Sequence, residues 1–227
     1  MTYEIFGGNL PAVSIKLQQG ESIYTESGGM SWMTDNITME TNMKGGLMKG
    51  LGRMLTGESL FMATFTANAP NQEITIASSF PGEIISLELS PGKEYICQKG
   101  AFLCAQLQVE RSNEITKGVA SGLFGGEGFI LQRLKGNGLA FLEVDGSLRK
   151  VTLAPGERLK VDTGNVAAFE ATMGYSVETV KGFKNVLFGG EGLFLTVLQG
   201  PGTAYLQTMT MPGFVGRIVP YLPKSSN

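Results

Sequence analysis

Three glutamates carry the clearest candidate chemistry in this chain. Leu-Phe-Gly-Gly-Glu-Gly occurs at residues 123–128 and again at 187–192, which places Glu127 and Glu191 in identical surroundings. Leu-Thr-Gly-Glu-Ser-Leu at residues 55–60 is a more diverged form and adds Glu58. Carboxylates at equivalent places in related units have two readings. Near a common axis they would hold a hard cation or share protons. Away from it, each would accept backbone N–H groups of its own turn or face solvent. A third reading, a phosphate cradle, lacks support. A P-loop needs a Lys and a Ser or Thr soon after its glycines, and Gly-Gly-Glu-Gly-Phe supplies neither. A dinucleotide fingerprint needs a helix after the turn, whereas an apolar run of β character follows here. A tight turn that lets backbones approach closely is the simpler account of the glycines.

Other reactive residues are scarce. The chain has no His and two cysteines, Cys97 and Cys104, both in apolar runs flanking a Gly turn. A metal site would need more Cys or His ligands than that, and a disulfide framework more cysteines. Two buried reduced thiols are expected instead. No Ser, Cys or Lys stands beside a repeated base, as a covalent mechanism would require. Carboxylate acid–base chemistry stays open, but the expectation is a protein without enzymatic activity, cofactor or metal.

The elements that position these residues are repeated. Sixty-four residues separate Glu127 from Glu191. The same step relates Leu89–Lys93 to Leu153–Glu157, Gly100 to Gly164, Lys117-Gly118 to Lys181-Gly182, and Leu134–Leu142 to Leu198–Leu206. One spacing across so many features indicates duplication of a whole unit. A third copy lies upstream, where Ile15–Glu21 parallels Leu87–Lys93 and Val151–Glu157. In all three, a second Gly follows the turn Gly by eight residues: Gly20 to Gly28, Gly92 to Gly100, Gly156 to Gly164. The spacing predicts three units, at about residues 1–72, 73–136 and 137–227, within one compact domain.

Each unit reads as β. Apolar and polar residues alternate in Ile85–Leu89 and Arg158–Val161, and Pro-Gly pairs supply turns. Gly136-Asn137-Gly138 and Gly200-Pro201-Gly202 read as hairpin connections. The runs 129–134 and 193–198 are more continuously apolar and predict buried strands. The fold class expected is all-β: three tandem β-sandwich or double-stranded β-helix-like units about a pseudo-threefold axis, with short helical or irregular insertions.

One stretch departs from this pattern. Met43, Leu47, Met48, Leu51, Met54 and Leu55 fall at helical spacing, while Lys44, Lys49 and Arg53 fall elsewhere. Seven of the eleven methionines lie between Met30 and Met62, and flexible thioethers suit adaptable apolar contacts. Residues 43–55 therefore predict either a surface for a partner or membrane, or a cap over the first unit's core.

The three β units, the segment Ser27–Met33 and the Gly-rich stretches at 45–61 and 122–142 together resemble the altered-inheritance-of-mitochondria family. These are bacterial and archaeal proteins with mitochondrial relatives, and the resemblance covers nearly the whole chain. It implies a fold like that of the tryptophan RNA-binding attenuation protein, repeated within one chain, and no established activity or cofactor. Its mitochondrial members are associated with inner-membrane organisation. A fold likeness to an RNA-binding protein does not imply RNA binding.

Composition narrows the function classes. The net charge is −2 with no basic block, which disfavours a phosphate-neutralising nucleic-acid face. No apolar stretch approaches a membrane span, and no signal peptide opens the sequence, so a soluble cytoplasmic protein is expected. Low charge and continuous apolar runs predict a homo-oligomer, with a trimer slightly preferred. The function expected is that of an interaction or scaffold protein, engaged in self-assembly or membrane-surface contact. The alternative is a small-ligand-binding β protein with a pocket between sheets or units.

Overall fold

A computed structural model describes residues 1–26, 28–42, 62–114, 130–179 and 194–223. Most of them lie in antiparallel sheets, none closed into a barrel. The first sheet has the order β1 (Thr2–Phe6), β2 (Ala12–Leu17), β7 (Gln72–Ala77), β4 (Met30–Met33). The second runs β5 (Ile37–Asn42), β6 (Met62–Ala67), β3 (Ser22–Glu26), β10 (Phe102–Gln106), β13 (Gly138–Asp145), β8 (Gly82–Leu89). The third runs β11 (Val109–Glu114), β12 (Leu131–Gly136), β9 (Tyr95–Gln98), β16 (Val166–Glu170), β19 (Gly202–Gln207), β14 (Leu148–Leu153). The fourth has three strands, β15 (Arg158–Asp162), β18 (Phe194–Gln199) and β17 (Gly174–Thr179). A short helix, α1 (Met211–Ile218), follows them.

The strands form where the sequence alternates or runs apolar. In β2, Ala12, Val13, Ile15 and Leu17 are buried and Lys16 is exposed. In β8, Glu83 and Glu88 point to solvent while Ile84, Ile85, Leu87 and Leu89 turn inward. The expected burial of the apolar runs holds in part: Leu131, Gln132 and Leu134 of β12 and Thr196, Val197 and Leu198 of β18 are buried, Ile130, Arg133, Phe194 and Leu195 are half-buried, and residues 129 and 193 lie outside the described residues. Three cores fill the spaces between successive sheets. Val13, Ile15, Ile74 and Ile76 of the first sheet meet Phe65, Leu103 and Phe141 of the second. Leu87, Ala140 and Leu142 of the second meet Tyr95, Val109 and Leu134 of the third. Ile96, Phe169 and Ala204 of the third meet Val161 and Leu198 of the fourth.

The expected turns at Gly20, Gly92 and Gly156 are alike. Their φ angles are 83°, 84° and 83°, a region open to glycine and costly for other residues. Each turn closes with a backbone bond from the following N–H to the carbonyl three residues back, Glu21 to Gln18, Lys93 to Ser90 and Glu157 to Ala154. The second glycines diverge: Gly28 keeps a positive φ, whereas Gly100 and Gly164 sit in 3-10 turns.

The two Gly-X-Gly connections are not hairpins. β12 and β13 belong to different sheets, as do β18 and β19. Gly136 and Gly200 turn the chain from one layer into the next, and a Cβ at either would collide with the backbone carbonyl of Gln108 or Ala154. The pattern of glycine around one residue is shared by a tight hairpin and a sharp corner between packed layers, so local sequence does not separate them.

Candidate interaction surfaces

Every residue singled out from the sequence as a site lies outside the described residues. This holds for Met43, Lys44, Leu47, Met48, Lys49, Leu51, Arg53, Met54 and Leu55, and for Glu58, Glu127 and Glu191. What the structure places is the strand ends that flank them. Asn42 pairs with Met62, Glu114 with Leu131 and Thr179 with Phe194, each closing one antiparallel strand pair. Each repeated segment therefore leaves and rejoins a sheet through neighbouring strand ends.

Polar side chains tie those ends to one another. Arg111 donates from Nη1 to Glu26 Oε1 at 2.5 Å, approaches Met62 Sδ at 3.2 Å through Nη2, and lies 4.6 Å above the Phe102 ring. It links the first strand pair to the second. Tyr24 stacks on Phe102 and donates its hydroxyl to the Val109 carbonyl; burial pushes it up to about 12, opposed by the Arg111 charge. At the second pair, Arg133 holds Glu114 through Nε and Nη2 at 2.8 and 3.0 Å, and reaches Glu94 at 2.9 Å. Those bonds raise the guanidinium further above its usual range. Lys99 N–H donates to the Ile130 carbonyl, Gln98 Nε2 to the Thr163 carbonyl, and Thr163 Oγ1 to the Phe194 carbonyl. The relay joins the second pair to the third.

A surface that sequence reading missed lies at α1. Thr210 caps the helix by accepting from Gly213 N–H at 3.2 Å, with Pro212 in the first turn. Met211, Phe214, Val215 and Ile218 fall at i, i+3, i+4 and i+7, yet all four are exposed, as are Val219, Tyr221 and Leu222 beyond them. Phe214 moors the helix by meeting Phe80 edge-on, with ring centroids 4.9 Å apart. Met211 N–H also donates to Asp145, whose carboxyl is raised by burial and by Glu143, against that bond. A signal was available: the capping Thr, the early Pro and the apolar spacing are all visible in Thr210–Ile218.

The described residues offer little enclosed space. One open groove of about 370 Å³ runs over Ser90, Glu94, Glu110, Lys135 and Asn137. Another of about 150 Å³ lies over Ile5, Phe6, Pro11 and Glu83. Cys97 and Cys104 are buried and unpaired, as expected. Burial pushes the Cys97 thiol up to about 12 and raises Cys104 as well. Among the described residues no three acidic, His or Cys groups gather to hold a metal, and no helix is long and apolar enough to cross a membrane.

These features define an antiparallel β protein of layered sheets with a moored, exposed apolar segment. The chain belongs to the mitochondrial biogenesis AIM24 family, whose model it matches over residues 3–209. An uncharacterised protein of Streptococcus pyogenes serotype M6 is 34% identical over 229 residues, covering 96% of this chain and 89% of that protein. The crystal structure of another Streptococcus pyogenes protein superposes with a TM-score of 0.81 at 29% identity, covering 97% of this chain and 99% of that one. The family resemblance read from the repeats and Gly-rich stretches is borne out.

Proposed function

We propose that the protein is a non-enzymatic scaffold that forms homo-oligomers in the cytoplasm and meets a membrane surface through Met211–Leu222. The observation that carries the reading is the apolar stripe of α1 and the residues after it, which remain in solvent while most other large apolar side chains among the described residues fill three cores. An amphipathic helix of this kind lies in the interface plane with its apolar face among the acyl chains. Arg217 is the only cation of the helix, so apolar insertion rather than charge supplies the affinity. Buried, unpaired Cys97 and Cys104 suit a reducing compartment. The grooves are open, which favours this reading over a small-ligand pocket.

The scaffold is read as three successive units, β2–β7, β8–β13 and β14–β19. Strands of the second and third units recur at the sixty-four-residue step, and the 3-10 turns at Lys99–Ala101 and Thr163–Asn165 occupy matching places. Within each unit, one sheet half comprises the first, sixth and third strands, and the other the fourth, fifth and second. Repeated two-layered units of this kind fit the fold implied by the attenuation-protein resemblance, without a nucleic-acid role.

Flotation with phospholipid vesicles tests the membrane contact. Wild type is expected to float, and Val215→Glu combined with Ile218→Glu to remain in the load with an unchanged melting temperature. Wild type that fails to float, with neutral and with anionic vesicles, removes the membrane reading.

A further inference from the structure

The helix α1 stands at one end of a row of loops. The chain crosses from sheet to sheet where Ala12 and Ala77, Gly82 and Asp145, and Leu148 and Gln207 are the last pairs of their ladders. Backbone bonds join each of these loops to the next. Ser78 and Gly82 N–H donate to the Pro11 and Asn9 carbonyls, and Gly146 N–H donates to the Pro81 carbonyl. Thr208 and Met209 N–H donate to the Ser147 and Asp145 carbonyls, and α1 begins directly after them. At the far end of the row is the turn between β1 and β2, closed by a bond from Leu10 N–H to the Gly7 carbonyl. Gly7 and Gly8 both have positive φ, and a Cβ on Gly7 would collide with the Leu10 carbonyl, so this turn depends on glycine. Leu10 on that turn is 65% exposed, and Phe6 beside it is exposed as well.

From this row we infer that Leu10 is a second membrane anchor, inserting with α1 into one bilayer surface, and that the lipid met there is zwitterionic rather than anionic. The inference rests on the membrane contact of α1 proposed above. Apolar side chains recur along the row: Phe6 and Leu10 at one end, half-buried Phe80 in the middle loop, and Phe214 against Phe80 at the root of α1. The open groove over Ile5, Phe6 and Pro11 extends this apolar ground. The neighbouring loop grips the turn through the carbonyls of Asn9 and Pro11, which leaves the Leu10 side chain to solvent.

Charge selects the lipid. Glu83, Glu143 and Asp145 stand along the row, against Arg149 and Arg217. The first two carboxylates are held in place, Glu83 by Leu148 N–H and Glu143 by Ser78 Oγ and Ser79 N–H. A surface with no surplus of cations gains nothing from acidic headgroups, so insertion of apolar side chains supplies the affinity. Two insertion points also do what one cannot. A helix lying alone in the interface leaves the body free to roll about the helix axis. Once α1 is inserted, Leu10 enters the same bilayer at a high effective concentration, and the end of the strands is held against the membrane.

Flotation and a site-specific label test the second anchor. Leu10→Glu alters an exposed side chain on a turn whose backbone bonds are kept, so its melting temperature is expected to match wild type. Its partition onto phosphatidylcholine vesicles is expected to fall about tenfold or more, the order for withdrawing one buried Leu. Cys97 and Cys104 are buried, so an environment-sensitive fluorophore on one introduced thiol reports its own position. Labels at Leu10→Cys and Val215→Cys are expected to shift to the blue when these vesicles are added. A label at Gln19→Cys, in the exposed turn at the opposite end of β2, is expected to stay unchanged. Phosphatidylserine mixed into the vesicles is expected to make binding no stronger, at low salt or high. Leu10→Glu that floats as wild type does, with a blue shift at Val215→Cys and none at Leu10→Cys, overturns the second anchor and leaves the helix contact standing. Flotation that needs phosphatidylserine and is lost in salt overturns the choice of lipid. Wild type that floats with neither vesicle overturns the membrane reading and this inference together.

Discussion

Replacing Phe141 by Ala probes whether the layered sheets unfold as one body. Phe141 lies on β13, which pairs with β10 on one side and β8 on the other. It has no exposed surface and belongs to the core between the first and second sheets, with Val13, Ile15, Phe65 and Ile74. Tyr3 meets it edge-on with ring centroids 4.9 Å apart, and Tyr3 is itself tied to Ser86 through its hydroxyl. Removing the ring forfeits about 1.5–3 kcal/mol of transfer free energy. The aromatic pair adds roughly 0.5–1.5 kcal/mol, and a cavity between two hydrogen-bonded sheets collapses poorly. The loss expected is about 3–5 kcal/mol, the usual range for this truncation in a core. For a chain of this size that lowers the melting temperature by about 6–20 °C. Urea denaturation followed by tryptophan fluorescence and by far-ultraviolet circular dichroism reads it out, since Trp32 lies on the first sheet. Coincident curves are expected from the two probes, because the cores share strands. A loss below about 1 kcal/mol, or a tryptophan transition separated from the rest, would refute the shared-core reasoning.

Four further outcomes follow from the same structure. Arg111→Met keeps an apolar stem over Phe102 but loses the charge-assisted bond to Glu26; a destabilisation of about 1–3 kcal/mol is expected, and a double-mutant cycle with Glu26→Gln should show coupling. Gly82→Ala places a methyl against the Val144 carbonyl across the β8–β13 pair; a fall in stability of more than about 2 kcal/mol by urea melts is expected, and a neutral effect would show that the strands can part. Cys97 and Cys104, buried and with raised thiol values, should resist a thiol reagent at pH 8 in the native protein and react fully in denaturant. Asp145 has a folded value above its ordinary 3.8, so its ionisation weakens the fold. That contribution to stability is present at low pH and is lost as pH rises through the folded value. Asp145→Asn should therefore flatten the stability profile between about pH 4 and 7 and leave the protein no less stable at pH 7.

Several parts of this protein were legible in the order of its residues. Alternation in Ile85–Leu89 and the apolar run ending at Leu134 specify strands because a pleated chain sends neighbouring side chains to opposite faces. Gly20, Gly92 and Gly156 specify turns because only glycine enters a positive φ without steric cost. Spaced identities placed the chain in its family. What residue order could not decide was which strand lies beside which. Gly136-Asn137-Gly138 suits a hairpin and a corner equally, and only packing of one layer on another selected the corner. Arg111 shows the same limit, since its partners Glu26 and Met62 belong to strands remote in sequence. The exposed state of α1 is likewise tertiary: its spacing declares an apolar face, but whether that face finds a core depends on where the sheets leave room. The edges β4 and β15 differ from β10 and β16 or β3 and β9 in neither strand type nor direction. Tertiary structure alone decides that, among the described residues, no strand pairs with their outer edges.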